Sequence, residues 1–280
     1  MRRGWDSNPR RAKALSGFRN RRTRPLCDLS LSFLLNYIKR GLQIFITKAS
    51  IFLSWSTSID VAVMIVWYES TTSSTSFWFF LSSSEKIENL VVTYSTPERY
   101  FEGTLASEPQ DWAVLPGFQK EEAPPTPKCI RVIVGVGFLP FRLPDLLKHD
   151  YQGAEVTLVL PFPPGPPQFQ RNWRFIHEIE KTCPLKDERQ IIRIDAQDAS
   201  RCFDHLCSLT KEGVEDTVLA PFGPKPHSLG MCLFAIKYNC DVYYTQPTHY
   251  HPEYSTGMKM RNGKPDTTAY AIKLNGKILY

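Results

Sequence analysis

The chain has 280 residues, 42% hydrophobic and 22% charged, which is enough apolar material for one large globular domain or two modest ones. The formal net charge of +6 sits at one end: residues 1–30 carry nine Lys and Arg against two Asp, and the other 250 carry 25 basic and 26 acidic residues. The body of the chain is close to neutral, so charge gives no evidence for a DNA- or RNA-binding surface.

Residues 1–30 show no hydrophobic period. They resemble the openings of many unrelated sequences in which a tRNA gene has been translated by mistake. The stretch reads either as such an artefact or as a disordered basic arm. Asp6, Asp28 and two prolines argue against a mitochondrial presequence. Residues 31–67 are apolar but interrupted by Lys39, Arg40, Lys48 and Asp60. The longest charge-free run, Ala49–Ile59, is shorter than the roughly 20 residues a spanning helix needs. A membrane span is therefore not expected, and segment 1–59 is set apart from the folded part.

From residue 61 the pattern becomes strand-like. VAVMIVWYE (61–69) predicts a buried strand, STTSSTS (70–76) a polar turn, and IENLVVTYS (87–95) a second strand. The Ser- and Thr-rich stretch between them makes a poor helix. Residues 96–127 read as mostly connecting chain, with a short strand in WAVLPGF (112–118). KEEAPPTPK (120–128) reads as a proline-rich linker. The expected division is 1–59, 60–119, 120–128 and 129–280.

After the linker, strands and helices alternate. IRVIVGV (130–136), AEVTLVLPF (154–162), QIIRIDA (190–196), DTVLAPF (216–222) and DVYYTQ (241–246) predict strands. Helices are predicted over 143–149, 167–182, 198–212 and 226–238. In the second, Phe169, Trp173, Ile176 and Ile179 fall near helical spacing. In the third, Cys202, Phe203, Leu206 and Leu209 share one face. Pro226 suits a first helical position. TAYAIKL (268–274) and KILY (277–280), joined by Asn275-Gly276, predict a terminal hairpin. The expectation is an α/β, Rossmann-like domain: a mostly parallel sheet, helices on both faces, and a C-terminal β-hairpin. The seven cysteines (27, 129, 183, 202, 207, 232 and 240) include no CxxC pair and are odd in number. They read as reduced, mostly buried thiols of a cytoplasmic protein.

The segment 218–239 carries the strongest chemical signal. A strand ends, Gly223-Pro224-Lys225 turns, and a helix begins. Backbone N–H groups and the positive dipole end at a helix N-terminus suit an anion. Lys225 adds a full charge, Ser228 a hydroxyl, and Gly230 room for a close backbone approach. The segment is neither a Walker motif nor a GxGxxG turn. A Pro-stabilised turn with a solvated Lys is the plain alternative.

Strand, G-x-K-P turn and Gly-containing helix (Gly223, Lys225, Pro226, Gly230) resemble the last crossover of CARF and SAVED sensor domains. Those Rossmann-like domains bind cyclic oligonucleotides in prokaryotic defence systems. The resemblance implies a second ligand-contacting turn after an early strand, with Thr71, Thr72, Ser73 and Ser74 at the matching positions. No fused effector domain is recognisable, so a separate effector protein, or a second copy of the chain, would be the partner.

TQPTHYHPEYSTG (245–257) follows the last parallel strand. His249, His251 and Glu253 are candidate metal ligands, with Asp241 or His227 as candidates for a fourth. Tyr243, Tyr244, Tyr250 and Tyr254 are candidates to stack on a base, or else simply pack the strand edge. Asp195 reads as a ribose- or metal-contacting acid or as an N-cap. His149, His177 and His205 read as surface or capping groups. No nucleophile elbow G-x-S-x-G occurs, so no catalytic triad is assigned.

Three functions follow from these features. The first is a non-catalytic sensor for a nucleotide or other phosphate-bearing small ligand, with Gly223, Lys225, Ser228, Thr71, Thr72, Ser73, Ser74, Tyr250 and Tyr254 as ligand-binding residues. The second is a metal-dependent enzyme using the His249/His251/Glu253 loop. The third is a membrane-anchored interaction protein. No cofactor is assigned.

Overall fold

The computed structural model describes residues 45–47, 50–52, 62–66, 89–115, 118, 131–162, 168–182, 190–213, 215–245 and 247–280. The opening strands are β1 (Phe45–Thr47), β2 (Ser50–Phe52), β3 (Ala62–Val66), β4 (Asn89–Ser95), β5 (Arg99–Tyr100), β6 (Ala106–Pro109) and β7 (Ala113–Val114). The alternating part runs β8 (Arg131–Gly135), α1 (Leu143–His149), β9 (Glu155–Phe162), α2 (Gln168–Thr182), β10 (Ile191–Asp195), α3 (Ala199–Leu209), β11 (Thr217–Pro221), α4 (Lys225–Tyr238) and β12 (Asp241–Tyr244). Then follow β13 (Pro247–Tyr250), β14 (Ser255–Thr256), β15 (Met260–Arg261), β16 (Lys264–Pro265), β17 (Thr267–Leu274) and β18 (Lys277–Ile278).

These elements group into two compact units. The first holds the described residues up to Ile65, residues 89–92 and Thr268–Leu279. Its four-stranded sheet has the order β18-β17-β4-β3, and β1 pairs antiparallel with β2. The terminal hairpin forms as expected, with Lys273 opposite Ile278 and Leu274 opposite Lys277. Asn275 and Gly276 both take positive φ, 49° and 74°, the backbone that a two-residue type I′ turn requires. The Asn275 backbone N–H donates to Asn89 Oδ1 at 2.9 Å.

The second unit is built on a six-stranded sheet in the order β10-β9-β8-β11-β12-β7. Its first five strands are parallel, and β7 closes one edge antiparallel to β12. The chain runs outward from β8 through β9 to β10. It then crosses back to β11 and continues outward on the other side. Four helices make the connections. Strands β8 and β9 are continuous apolar runs because both of their faces are covered. Val132, Val134 and Val136 form one buried cluster with Leu143, Leu146 and Leu147 of α1 and Phe175, Ile176 and Ile179 of α2. Ile133 points the other way and is also fully buried. Right-handed crossovers put α3 and α4 on that second face. These two helices pack against each other closely: a Cβ on Gly230 would lie 2.6 Å from the Ala199 carbonyl oxygen.

Arg131 braces the N-terminal ends of the central strands. Its guanidinium pairs with Glu155 at the start of β9 at 2.9 Å and with Glu215 just before β11 at 3.0 Å. Hydrogen bonds from Lys211 and Arg131 hold the Glu215 carboxyl below its usual range against the opposing effect of burial.

Several sequence expectations change. Residues 96–115 are more than connecting chain: β5 pairs with β14, β6 with β13, and β7 joins the main sheet. The sheet therefore recruits a strand from before the proline-rich stretch, and residues 120–128 lie outside the described residues. Trp173 is 45% exposed, and the buried stripe of α2 is Asn172, Phe175, Ile176 and Ile179, the true i, i+3, i+4, i+7 set. Helix α4 begins at Lys225 with Pro224 as its N-cap, so Pro226 is the second helical residue. Cys202, Cys207, Cys232 and Cys240 are buried free thiols. Among the described residues no helix is long and apolar enough to cross a membrane.

Candidate functional site

The parallel strands decide where a site can form. Because β8 leads outward to one side and β11 to the other, their following segments diverge. A crevice opens outside the C-terminal ends of the strands at this point. The base of that crevice is closed by backbone: a Cβ on Gly137 would fall 2.0 Å from the Phe222 carbonyl oxygen. Only glycine lets the two segments meet so closely.

Outside this contact the walls are aromatic. Phe138 and Phe141 follow β8, Phe222 follows β11, and Tyr244 ends β12. Tyr250 and Tyr254, from the β13–β14 region, complete the cleft. The rings form a connected set. Phe222 stacks on Tyr244 with centroids 5.5 Å apart and a 28° interplanar angle. Tyr100 lies edge-on to Phe138 at 5.1 Å and to Tyr254 at 6.2 Å. Tyr250 lies 6.2 Å from Tyr254. The hollow between the rings amounts to about 340 Å³ of non-protein space that includes open solvent, so its enclosed part is smaller than that. Burial, then the neighbouring Tyr250, pushes the Tyr244 hydroxyl far above its ordinary pKa, so it stays a protonated donor.

Tyr250 and Tyr254 thus stand where the sequence suggested, beside Tyr244. Tyr243 does not join them. Its ring lies edge-on to Tyr151 at 5.7 Å and packs against the α1–α2 side of the core. Strand alternation separates the two adjacent tyrosines.

The helix-terminus residues divide by role. Gly223 lies against the β8 end: its N would be 3.1 Å from a Cβ on Gly135. Lys225 is the first residue of α4, half-buried. A cation there opposes the helix dipole. Ser228 is spent locally, its hydroxyl directed to the Pro224 carbonyl at 3.4 Å within the first turn. Gly230 admits the close backbone approach expected of it, and the backbone that approaches is that of Ala199 in α3. Thr71, Thr72, Ser73 and Ser74 lie outside the described residues.

His249, His251 and Glu253 are held apart in separate interactions. His249 Nδ1 sits 3.1 Å from Glu108 Oε2 and 3.0 Å from Thr248 Oγ1. The His251 ring stacks on Phe101 at 3.6 Å, and its Nδ1 accepts from the Glu253 backbone N–H at 3.1 Å. Asp241 lies at the opposite end of β12, and His227 is buried in α4. Among the described residues no three His, Cys, Asp or Glu side chains could hold a metal ion together. Asp195 accepts from the Gln197 N–H at 2.8 Å in a local turn, and Asp198 is the N-cap of α3.

Sequence reasoning missed Phe138, Phe141 and Phe222. Their signal was present: each lies within a few residues of the end of a central strand, in GFLPF and PFGP. It also missed Arg171, in the first turn of α2, whose guanidinium carbon lies 5.5 Å from the Phe138 ring centroid. No protein-family model, no curated protein and no solved structure matches the chain.

Proposed function

We propose that the six-stranded unit is a Rossmann-like, non-catalytic binding domain for a nucleotide or a related phosphate-bearing ligand. The observation that carries this reading is the aromatic cleft at the reversal of strand order, where Phe138, Phe222, Tyr244, Tyr250 and Tyr254 converge. Aromatic faces stack on bases with little dependence on sequence. Clefts at such reversals are the usual ligand sites of open α/β sheets. Lys225 adds a positive charge at the start of α4, and with Gly223 it keeps the likeness to CARF and SAVED sensors. A cyclic oligonucleotide ligand, a cytoplasmic location and a separate effector protein or second copy as partner belong to the same reading.

The test is thermal unfolding of the full chain with cyclic oligonucleotides, linear nucleotides and divalent metals. A ligand at about 100 times its Kd stabilises by roughly 2.7 kcal/mol, a shift of a few degrees. The expected result is a shift with a nucleotide that is lost in Tyr254→Ala and weakened in Lys225→Ala. A panel that leaves the wild-type midpoint unmoved overturns the reading, and a shift with metal alone replaces it with the enzyme reading.

A further inference from the structure

The rings that line the cleft fall into two chemical sets, and each set comes from its own part of the chain. Phe138 and Phe141 follow β8 and Phe222 follows β11, so the ends of the central strands supply rings with no polar atom. Tyr244 ends β12, Tyr250 ends β13 and Tyr254 precedes β14, so the last strands supply the phenols. Among the described residues, none that lines the cleft carries a charged side chain. Side-chain hydrogen bonding inside the cleft therefore rests with the three phenols.

The phenols are also close to one another. The Tyr244 hydroxyl is hydrogen-bonded to that of Tyr250, and Tyr254 is near enough to act on its ionisation. Tyr244 is half-buried and Tyr250 exposed, so Tyr244 lies deeper. The stack of the Tyr244 ring on Phe222, at 5.5 Å and 28°, fixes the plane of the ring and with it the place of the oxygen. An un-ionised phenol both donates and accepts, so it can meet either kind of polar group on a ligand. A hydroxyl fixed against a bound ring discriminates against rings that offer it nothing. The reason is that a buried polar group left unmatched costs more than a matched one gains.

We propose that Tyr244 is the specificity-determining residue of this cleft, its hydroxyl hydrogen-bonding the polar edge of an uncharged nucleobase that lies among the rings. The proposal rests on the nucleotide-binding reading given above and adds to it what is read inside the cleft. That is a flat, uncharged ring with hydrogen-bonding groups on its edge, in preference to a plain aromatic ring of the same size. The phenylalanines supply stacking that any such ring would satisfy, and the Tyr244 hydroxyl supplies the choice between them.

The experiment is calorimetric titration of the full chain with the four common ribonucleoside 5′-monophosphates and with N1-ribosylindole 5′-monophosphate. The indole keeps a flat ring of purine size with no hydrogen-bonding group on it, and the shared ribose phosphate cancels in the comparison. Wild type, Tyr244→Phe and Tyr254→Ala are compared. In wild type at least one nucleotide should bind roughly tenfold more tightly than the indole analogue, the value of one well-made hydrogen bond. Tyr244→Phe, which removes only the hydroxyl, should lose that preference and keep its affinity for the indole analogue. Tyr254→Ala should weaken every ligand that binds. If Tyr244→Phe does not fold, the wild-type preference still decides. Equal wild-type affinity for the indole analogue and the best nucleotide, or an undiminished preference in Tyr244→Phe, overturns the role of Tyr244 and leaves the cleft standing. Binding to wild type by none of the five ligands overturns this proposal together with the reading it rests on.

Discussion

The His227 imidazole donates from Nε2 to the backbone carbonyl of Asp195 at 2.8 Å, tying the first turn of α4 to the C-terminal end of β10. The ring is fully buried, and its Nδ1 has no hydrogen-bond partner among the described residues. With Nε2 carrying the proton, Nδ1 is a bare acceptor. Burial lowers the His227 pKa, against a smaller opposing effect from its bond to Asp195. The folded state therefore binds fewer protons at this site than the unfolded state. The stabilisation is complete above the unfolded pKa of about 6.5 and is lost as pH falls toward the depressed folded value. Urea denaturation of wild type from pH 7.5 to 5.5 should show falling stability. His227→Gln, which can still donate to the Asp195 carbonyl, should flatten that slope. An equally steep slope in the variant would assign the effect to another group.

Arg131 and Glu215 give a second, separate acid limb. The lowered Glu215 pKa contributes stability above the unfolded carboxylate range, and this is lost as pH falls through the depressed folded value. Arg131→Met should cost roughly 1 kcal/mol at pH 7, since both of its carboxylate partners remain partly exposed. The cost should shrink below pH 4. A cost that is independent of pH would point to lost packing of the Arg131 stem instead.

Gly230→Ala ordinarily gains up to about 1 kcal/mol in a helix interior. Here the new methyl would lie 2.6 Å from the Ala199 carbonyl oxygen and 2.9 Å from the Cys202 Cβ. The two helices must separate, and we expect a net loss of about 1–3 kcal/mol in equilibrium denaturation. A stabilised variant would show that α3 and α4 can move apart without loss.

Cys202 and Cys232 are buried on α3 and α4, and burial raises both thiol pKa values far above the ordinary range. The thiolate is the reactive form, so neither should label in the native state. Peptide mapping after timed alkylation should show both residues modified at the rate of global unfolding. Rapid labelling of either one under native conditions would mean that the α3–α4 layer opens locally.

Much of the architecture was legible in the sequence because its signals are local. Five apolar β-branched runs predicted the five parallel strands to within a residue or two. Residues 143–149 gave α1 with the bounds observed. Asn275-Gly276 specified a hairpin, since both residues tolerate the positive φ that the turn demands. Boundaries and faces were less legible. Trp173 was assigned to the core of α2 by its spacing from Phe169, Ile176 and Ile179, yet the stripe that meets Val132 and Val134 runs through Phe175.

The site was legible only in part. Tyr250 and Tyr254 were singled out, but their partners Phe138, Phe141 and Phe222 lie more than a hundred or about thirty positions away in the chain. Gly230 was expected to admit a close backbone approach, but only the fold shows that the backbone is that of α3. The Ser228 hydroxyl faces the Pro224 carbonyl within its own helical turn.

By itself the sequence determined the alternation of strand and helix, the closing hairpin, and the near neutrality of all but the first thirty residues. Hydrophobic period, turn chemistry and charge are properties of adjacent residues, and the chain carries them wherever it folds. Tertiary structure alone decided that β7 joins the sheet, that β8 and β11 lie side by side, and that Arg171 rests on Phe138. These depend on strand order, which is set by how distant apolar faces share one core. Pairings of that kind leave no periodic trace along the chain.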